Sequence, residues 1–284
     1  ANRVAVLAPR SGTVLGRAVT ADKPVTVAGT GVPGFSGDGR RATAAELDDP
    51  SGVAVDPEGD LLIADTANGR VRIVAASAGT RYGVALTPGE ITTVAGTGTT
   101  GSSGDGGPAR LAQVWDPGAL TVDESGNVFV ADQGNRSVRV LSPVATTLLG
   151  VTVGADDLTT VAGEGSYGPY VIDGLAAVGQ TGEINFPSGL AVDAAGNLLV
   201  SDGEMHVIRA VANTATTTRG RSFGPGGLYI VAGAESTGPG ITAKFTSWIG
   251  TRMLNPVGLL ITSPGRIVFA DQDGDVVRAL PPGT

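Results

Sequence analysis

Apolar and polar residues alternate with a period of two in short runs along this chain, and glycine-rich turns separate the runs. Three such runs follow one another at residues 52–55, 61–64 and 70–74, and a fourth comes at 91–95 after a longer connection. The turn Asp56-Pro57-Glu58-Gly59 ends in a glycine that can adopt the positive φ of a hairpin loop. The pattern predicts four consecutive antiparallel strands, which we label a, b, c and d.

The four-strand pattern recurs along the whole chain. The tripeptide Val-Ala-Gly begins at Val27, Val94, Val161 and Val231, at intervals of 67, 67 and 70 residues. A proline opens each a strand, and these prolines are Pro50, Pro117, Pro187 and Pro256. Repetition at a nearly constant spacing indicates a modular fold, and four short antiparallel strands per module predict a β-propeller blade.

The order of strands bears on how such a propeller would close. It is c-d, then a-b-c-d three times, then a-b-c, which gives one strand more than four blades need. We expect residues 25–29 to complete the last blade beside the C-terminal strands. One c strand, at 3–8 or 275–280, is then surplus, and it would cap the sheet edge or pass to a neighbouring molecule. We therefore predict an all-β, four-bladed β-propeller in a single domain over residues 1–284; a six-bladed propeller of about 47 residues per blade is the alternative.

Composition narrows the choice of function. The net charge of −8 opposes binding to nucleic acid and to anionic lipid. No apolar run approaches the ~20 residues of a membrane span, and there is no cysteine. One histidine, His206, is too few for a zinc site built from several histidines. The chain begins at Ala1 rather than at a methionine, so we expect that a leader was removed or that the chain was cut from a longer one.

The best-defined strands carry a resemblance to a known family. The segments DPSGVAVD at 49–56, LLIAD at 61–65 and NGRVR at 68–72 resemble the NHL repeat of β-propellers, and NVFVAD at 127–132 with NRSVR at 135–139 is similar. In the third and fourth copies Met205 and Gly274 replace the turn asparagines. The resemblance implies a propeller, and the family includes interaction scaffolds, RNA-binding modules and a few lyases. The style of the repeats also resembles exported actinobacterial proteins, which implies secretion.

An aspartate follows each proline by fifteen residues, and an arginine follows that aspartate by seven. The pairs are Asp65 with Arg72, Asp132 with Arg139, Asp202 with Arg209, and Asp271 with Arg278. A b-c hairpin that sets Asp65 opposite Arg70 makes Asp65 and Arg72 diagonal neighbours on one sheet face. We predict four partly buried ion pairs that specify the fold. A calcium site using Asp132, Asp202 and Asp271, with Asn135 and Glu204, stays open as the alternative.

The connections from d to a differ in length, at 20, 20, 23 and 22 residues, whereas the segment from c through d does not. Variable loops on a constant scaffold are where recognition usually lies. Asp38 and Asp105 occupy Gly-Asp-Gly sequences in the first two connections and Asp173 lies in the third, either as a cation or anion site or as simple Asp-Gly turns. Trp248 and Phe245, in the fourth, are the remaining binding candidates. Trp115 is expected to pack in the core or between blades.

The sequence therefore predicts a secreted, non-catalytic binding scaffold, with no catalytic residues and no cofactor, whose partner is a protein or a small extracellular ligand. Nucleic acid is not expected as a partner. Two alternatives stay open: a calcium-dependent propeller hydrolase or lyase, which would bind Ca²⁺, and a structural protein that associates with itself through its terminal strands.

Overall fold

A computed structural model describes residues 2–163, 165, 175–178, 183–218, 221–233, 253, 255–262 and 266–280. The chain divides into two compact units, each described here by itself. Unit 1 comprises residues 1–128, 141–145 and 154–158, and unit 2 comprises 129–140, 146–153 and 159–284. That residues 1–284 form one domain stays a prediction.

Unit 1 opens with four strands that form two small antiparallel sheets. These are β1 (Asn2–Leu7), β2 (Gly12–Val14), β3 (Arg17–Val19) and β4 (Pro24–Gly31). β1 pairs with β4, and β2 pairs with β3. Residues 25–29 therefore lie beside β1, so the first c strand and the first d strand share one two-stranded sheet.

The first complete blade follows in unit 1. Its strands are β5 (Arg40–Arg41), β6 (Pro50–Val55), β7 (Leu61–Asp65), β8 (Arg70–Val74), β9 (Gly79–Arg81), β10 (Val84–Leu86) and β11 (Glu90–Ala95). β6, β7, β8 and β11 are the predicted strands a to d, and the sheet order is β5-β11-β8-β7-β6. β9 and β10 form a separate hairpin. The b-c register is the predicted one, with Asp65 opposite Arg70 and Ile63 opposite Arg72.

The second repeat has the same series of strands. They are β12 (Gly107–Pro108), β13 (Pro117–Val122), β14 (Val128–Asp132), β15 (Ser137–Leu141), β16 (Thr146–Leu148), β17 (Val151–Val153) and β18 (Asp157–Gly163). The division between the units falls inside this repeat, with β13 in unit 1 and nearly all of β14 in unit 2. β16 and β17 form the hairpin that corresponds to β9 and β10.

Unit 2 contains the last two repeats. The third has β19 (Leu175–Ala176), β20 (Pro187–Val192), β21 (Leu198–Asp202), β22 (Val207–Val211), β23 (Thr216–Thr218), β24 (Arg221–Phe223) and β25 (Gly227–Gly233), and the fourth has β26 (Pro256–Thr262), β27 (Arg266–Asp271) and β28 (Val276–Leu280). Their sheet orders are β19-β25-β22-β21-β20 and β26-β27-β28. Single 3₁₀ turns occur at Ala42–Ala44, Thr66–Asn68, Ala109–Leu111, Gln133–Asn135 and Gln272–Gly274. The fold is all-β, with the four blade repeats of a β-propeller, as predicted.

The recurring Val-Ala-Gly has a backbone explanation. Gly96 has a φ of 93°, and it follows a register shift between β11 and β8 at Thr93 and Ala95. A Cβ on Gly96 would clash with the carbonyl oxygen of Gly69 and lie 3.0 Å from the Cα of Arg70. Only glycine combines this positive φ with such close approach of the neighbouring strand.

Within each unit, neighbouring blades are joined at the recurring proline. In unit 1, β13 packs on β6, and the Thr66 hydroxyl donates to the carbonyl of Pro117 at 2.7 Å. In unit 2, the Ser188 hydroxyl donates to the carbonyl of Pro256, also at 2.7 Å. The apolar core lies between such sheets; in unit 1 it includes Leu47, Ile63 and other fully buried side chains.

Candidate interaction surface

The connection from β4 to β6, residues 30–49, is held at its end by the aspartate that closes β7. The carboxylate of Asp65 is fully buried and accepts the backbone N–H of Asp48 at 2.8 Å. It also accepts the side-chain amide of Asn68 at 2.9 Å, and the Arg72 guanidinium lies 3.4 Å away. Burial raises the pKa of Asp65, and these hydrogen bonds oppose the rise. The recurring aspartate is thus an anchor for the incoming connection.

Arg72 holds the same connection at three further points. Its guanidinium donates to the backbone carbonyls of Glu46 and Ser36, each at 2.8 Å. It also forms an ion pair with Asp38 at 2.8 Å, shorter than its 3.4 Å contact with Asp65. The Arg72 side chain has no exposed surface, whereas 32% of the Asp38 side chain is exposed. The positive charge of the buried Arg72 is therefore balanced by two carboxylates, that of Asp65 in the sheet and that of Asp38 in the connection.

Two of the three acidic residues predicted in these connections lie within the described residues, at equivalent positions. Asp38 is the ion-pair partner of Arg72, and Asp105 is exposed at the equivalent place in the second connection, residues 97–116. Asp173 lies outside the described residues. The carboxylate of Asp38 is thus committed to an arginine of the framework.

The aspartate-arginine arrangement recurs in unit 2. Asp132 lies 3.5 Å from Arg139, Asp202 lies 3.5 Å from Arg209, and Asp271 lies 2.9 Å from Arg278. Backbone N–H groups of the connections again reach these carboxylates: those of Asn185 and Asn255 donate to Asp202 and Asp271, each at 3.1 Å. In three of the four pairs, those of Asp65, Asp202 and Asp271, the aspartate therefore ties the sheet to the backbone of the incoming connection.

These contacts bear on the calcium alternative. The candidates Asp132, Asp202 and Asp271 have no exposed surface, and each lies against an arginine. Burial lowers the pKa of Arg209, and the charge of Asp202 opposes that shift. In the part of the chain that the structure describes, no group of three or more His, Cys, Asp or Glu side chains is placed to hold a metal ion. His206 is exposed in the turn between β21 and β22.

The exposed aromatic side chains share one kind of position. Phe35, Trp115 and Phe186 have 42%, 44% and 38% of their surface exposed, and they lie in the first, second and third d-to-a connections. The other aromatic side chains that the structure describes are buried, namely Tyr82, Phe129, Tyr229 and Phe269. Of the two positions expected for Trp115, the core is wrong, because nearly half of its surface is exposed; packing between blades stays a prediction. Its neighbour Val114 is fully buried, and the chain bends at Trp115 and Asp116, before β13 begins at Pro117.

In unit 1 an arginine links the first connection to the second. The guanidinium of Arg70 lies over the ring of Phe35, 3.7 Å from its centroid. It donates to the carbonyls of Asn68 and Thr97, each at 2.7 Å, and burial lowers its pKa. Sequence reasoning missed both Phe35 and Arg70, because their counterparts in the second repeat are Ser102 and Ser137 and no repeated signal marks them.

Two predicted binding residues, Trp248 and Phe245, lie outside the described residues. Two apolar side chains of the same connections are also exposed: Val32 in the first connection is 55% exposed, and Leu111 in the second is 72% exposed. In the described residues no helix has the length and apolar character that crossing a membrane requires.

Comparison with known proteins agrees with this fold. Residues 47–74 match the NHL repeat family, and no curated protein matches the sequence. A structural genomics protein of unknown function from Bacteroides thetaiotaomicron VPI-5482 is similar in structure, with 17% identity and a TM-score of 0.53 over 90% of this chain and 50% of that chain. An auxiliary nutrient binding protein from the same organism has 13% identity and a TM-score of 0.54 over 91% and 50%. A chain of a nidogen/laminin complex has 14% identity and a TM-score of 0.50 over 91% and 64%.

This chain spans about half the length of the two Bacteroides structures. At these identities the likeness is one of fold. Residues 47–74, which match the NHL repeat, contain β6, β7 and β8 of the first complete blade, and the structure around them is that of a β-propeller.

Proposed function

We propose that this chain is a secreted, non-catalytic scaffold that binds a protein or a small extracellular ligand through its d-to-a connections. The observation that carries the proposal is the distribution of aromatic side chains, since Phe35, Trp115 and Phe186 are exposed on three different connections while the other described aromatics are buried. Aromatic residues are enriched at the centres of binding interfaces because they bury large rigid surfaces at little cost in conformational entropy.

The anchoring of the first connection supports the same proposal. Backbone atoms of Ser36, Glu46 and Asp48 are bound to fully buried side chains of the sheet, so the loop that carries Phe35 is ordered before any partner arrives. Binding to a surface that is already ordered avoids much of the entropy cost of association. Phe35 is further fixed by the guanidinium of Arg70 across its ring.

The electrostatics and the comparisons favour binding over catalysis. Each buried aspartate that a calcium-dependent enzyme would need is paired with an arginine, and a carboxylate so committed is poorly suited to hold a cation. A net charge of −8 disfavours nucleic acid. Among the proteins of similar fold, one is an auxiliary nutrient binding protein and one belongs to a nidogen/laminin complex. Secretion rests on the style of the repeats.

Substitution of the exposed aromatics tests the proposal. The immobilised chain would be used to capture ligands from a secreted-protein fraction and from a panel of small extracellular compounds, and the dissociation constant would then be measured with the purified ligand. Phe35→Ala or Trp115→Ala should weaken binding by about thirtyfold, the loss of about 2 kcal/mol at which an interface residue counts as a hot spot. Val144→Ala is the matched control, because Val144 is 58% exposed but lies outside the connections.

Three results bear against the proposal. One is a ligand whose binding is unchanged by both aromatic substitutions, because the partner would then lie elsewhere. Another is an equal loss in the Val144→Ala control, because the effect would then be general. The third is chemical turnover of a captured small ligand, because the protein would then be an enzyme and not a non-catalytic scaffold.

A further inference from the structure

A corner of unit 1 forms where the β2–β3 hairpin meets the edge of the first complete blade. The two turn residues of the hairpin, Leu15 and Gly16, both have positive φ, and a Cβ on Gly16 would lie 3.7 Å from the Cα of Gly89. The carbonyl of Gly89 accepts the N–H of Ala42 at 3.0 Å, and Ala42 directly follows the edge strand β5. Leu15 packs on the buried cluster that contains Ala42. The hairpin turn and β5 are therefore held side by side.

Three arginines meet at this corner. Arg17 begins β3 immediately after the turn, and Arg40 and Arg41 form β5. All three side chains are exposed. In the part of the chain that the structure describes, none of the three forms an ion pair. We call Arg17, Arg40 and Arg41 the arginine patch.

The carboxylates beside the arginine patch do not neutralise it. Glu90 lies opposite Arg41 in the sheet and is half-buried. Asp38, two positions before Arg40, is paired with the buried Arg72. The three cations outweigh the charge of Glu90, so the patch is positive on a chain whose net charge is −8.

The fold does not require arginine at these positions. The same corner recurs in the second repeat, where a Cβ on Gly83 of the β9–β10 hairpin would lie 3.3 Å from the Cβ of Asp156, and the Asp156 carbonyl accepts the N–H of Ala109 at 3.0 Å. The positions of the three arginines are occupied there by Val84, Gly107 and Pro108, and in the third repeat by Val151, Leu175 and Ala176. Packing of the corner therefore does not explain the positive charge of the first copy.

We propose that the arginine patch binds a short acidic segment of a partner protein. A guanidinium group presents a planar fork of N–H donors that matches a carboxylate in a bidentate pair. Complementary charge also speeds the encounter of two proteins and selects their orientation. The patch uses neither Phe35 nor Trp115, so this inference does not rest on the proposed function.

The charge of the rest of the chain favours a short segment over a long polyanion. Attraction to the patch is screened within a Debye length, ~8 Å at physiological ionic strength. A nucleic acid or a long sulfated polysaccharide extends beyond that distance and meets a protein of net charge −8, which repels it. A short run of Asp and Glu side chains contacts the arginines without that repulsion.

Binding of a fluorescent peptide of about eight glutamates, which spans the patch at ~3.3 Å per residue, tests the proposal by fluorescence anisotropy. We expect saturable binding that weakens as salt is added. Arg17→Ala, Arg40→Ala and Arg41→Ala should each raise the dissociation constant about two- to fivefold, the range of an exposed ion pair. The triple variant should raise it by at least about eightfold, since independent losses multiply.

Arg10→Ala is the matched control, because it removes the same charge from an exposed arginine at the other end of the β2–β3 hairpin. It should leave the dissociation constant unchanged, and circular dichroism would check that each variant is folded. A chain that shows no saturable binding of the peptide, or an Arg10→Ala variant that loses as much affinity as the patch variants, overturns the proposal. A sulfated polysaccharide that binds more tightly than the peptide, and loses that affinity in the triple variant, overturns the choice of an acidic protein segment.

Discussion

Replacement of Asp65 by alanine is expected to lower the free energy of unfolding by about 3–5 kcal/mol, the cost of removing one partner from a buried ion pair. The Asp65 carboxylate has no exposed surface. Its loss leaves the N–H of Asp48 and the amide of Asn68 without their acceptor, at 2.8 and 2.9 Å in the native protein. It also removes from Arg72 the carboxylate that lies in the sheet.

Asp38→Ala is the matched control, because it removes the other carboxylate from the same arginine. Asp38 is closer to Arg72, at 2.8 Å, but 32% of its side chain is exposed, so water can take its place. We expect a loss of about 1 kcal/mol or less. Burial rather than distance thus decides the order of the two effects.

Urea denaturation would measure both losses. A Trp248→Phe background leaves Trp115, in unit 1, as the fluorescent reporter of unfolding. Both variants should shift the midpoint while the slope with denaturant stays constant, which indicates a change in stability alone. Equal losses for Asp65→Ala and Asp38→Ala, or a loss below about 1 kcal/mol for Asp65→Ala, would refute the reasoning.

Three further outcomes are expected. Gly96→Ala should lower the melting temperature much more than Gly106→Ala. Both glycines have a positive φ, but only at Gly96 would a Cβ clash with the Gly69 carbonyl. Similar shifts of the melting temperature by calorimetry would contradict the clash. Burial raises the pKa of Asp56, so Asp56→Asn should be more stable than the wild type at neutral pH. This difference in stability should shrink as the pH falls through the raised pKa, because the folded wild type then takes up a proton more readily than the unfolded chain does. Calcium and a chelator should give the same melting temperature by thermal-shift fluorimetry, and a higher one with calcium would favour the hydrolase or lyase.

Much of the fold could be predicted from the sequence. Strands a to d carry a period-two pattern, and the b-c hairpin considered in the sequence analysis, with Asp65 opposite Arg70, has the register that the structure shows. The small hairpins between c and d, such as β9 with β10, were not predicted. Their strands have three residues each, which is too short for an alternating pattern to be recognised.

Less of the candidate surface could be predicted. The sequence placed Arg72 near Asp65, but the shortest contacts of Arg72 are with Asp38 and with the backbone carbonyls of Ser36 and Glu46. A carbonyl acceptor is the same for every residue type and leaves no trace in the sequence. The ion pair between buried Asp60 and half-buried Arg81 in the first blade was also missed. Asparagines, Asn127 and Asn197, stand in place of Asp60 in the next two repeats, so no repeated signal marks the pair.

The way the first connection is fastened also bears on how this protein could be altered. Three of its fixed points are backbone atoms, namely the N–H of Asp48 and the C=O groups of Ser36 and Glu46. The side chains of Ala42, Ala45 and Leu47 add buried core contacts. Evolution, or an engineer, can therefore vary the exposed positions Val32, Pro33, Arg40 and Arg41 and change specificity without loosening the loop from the sheet.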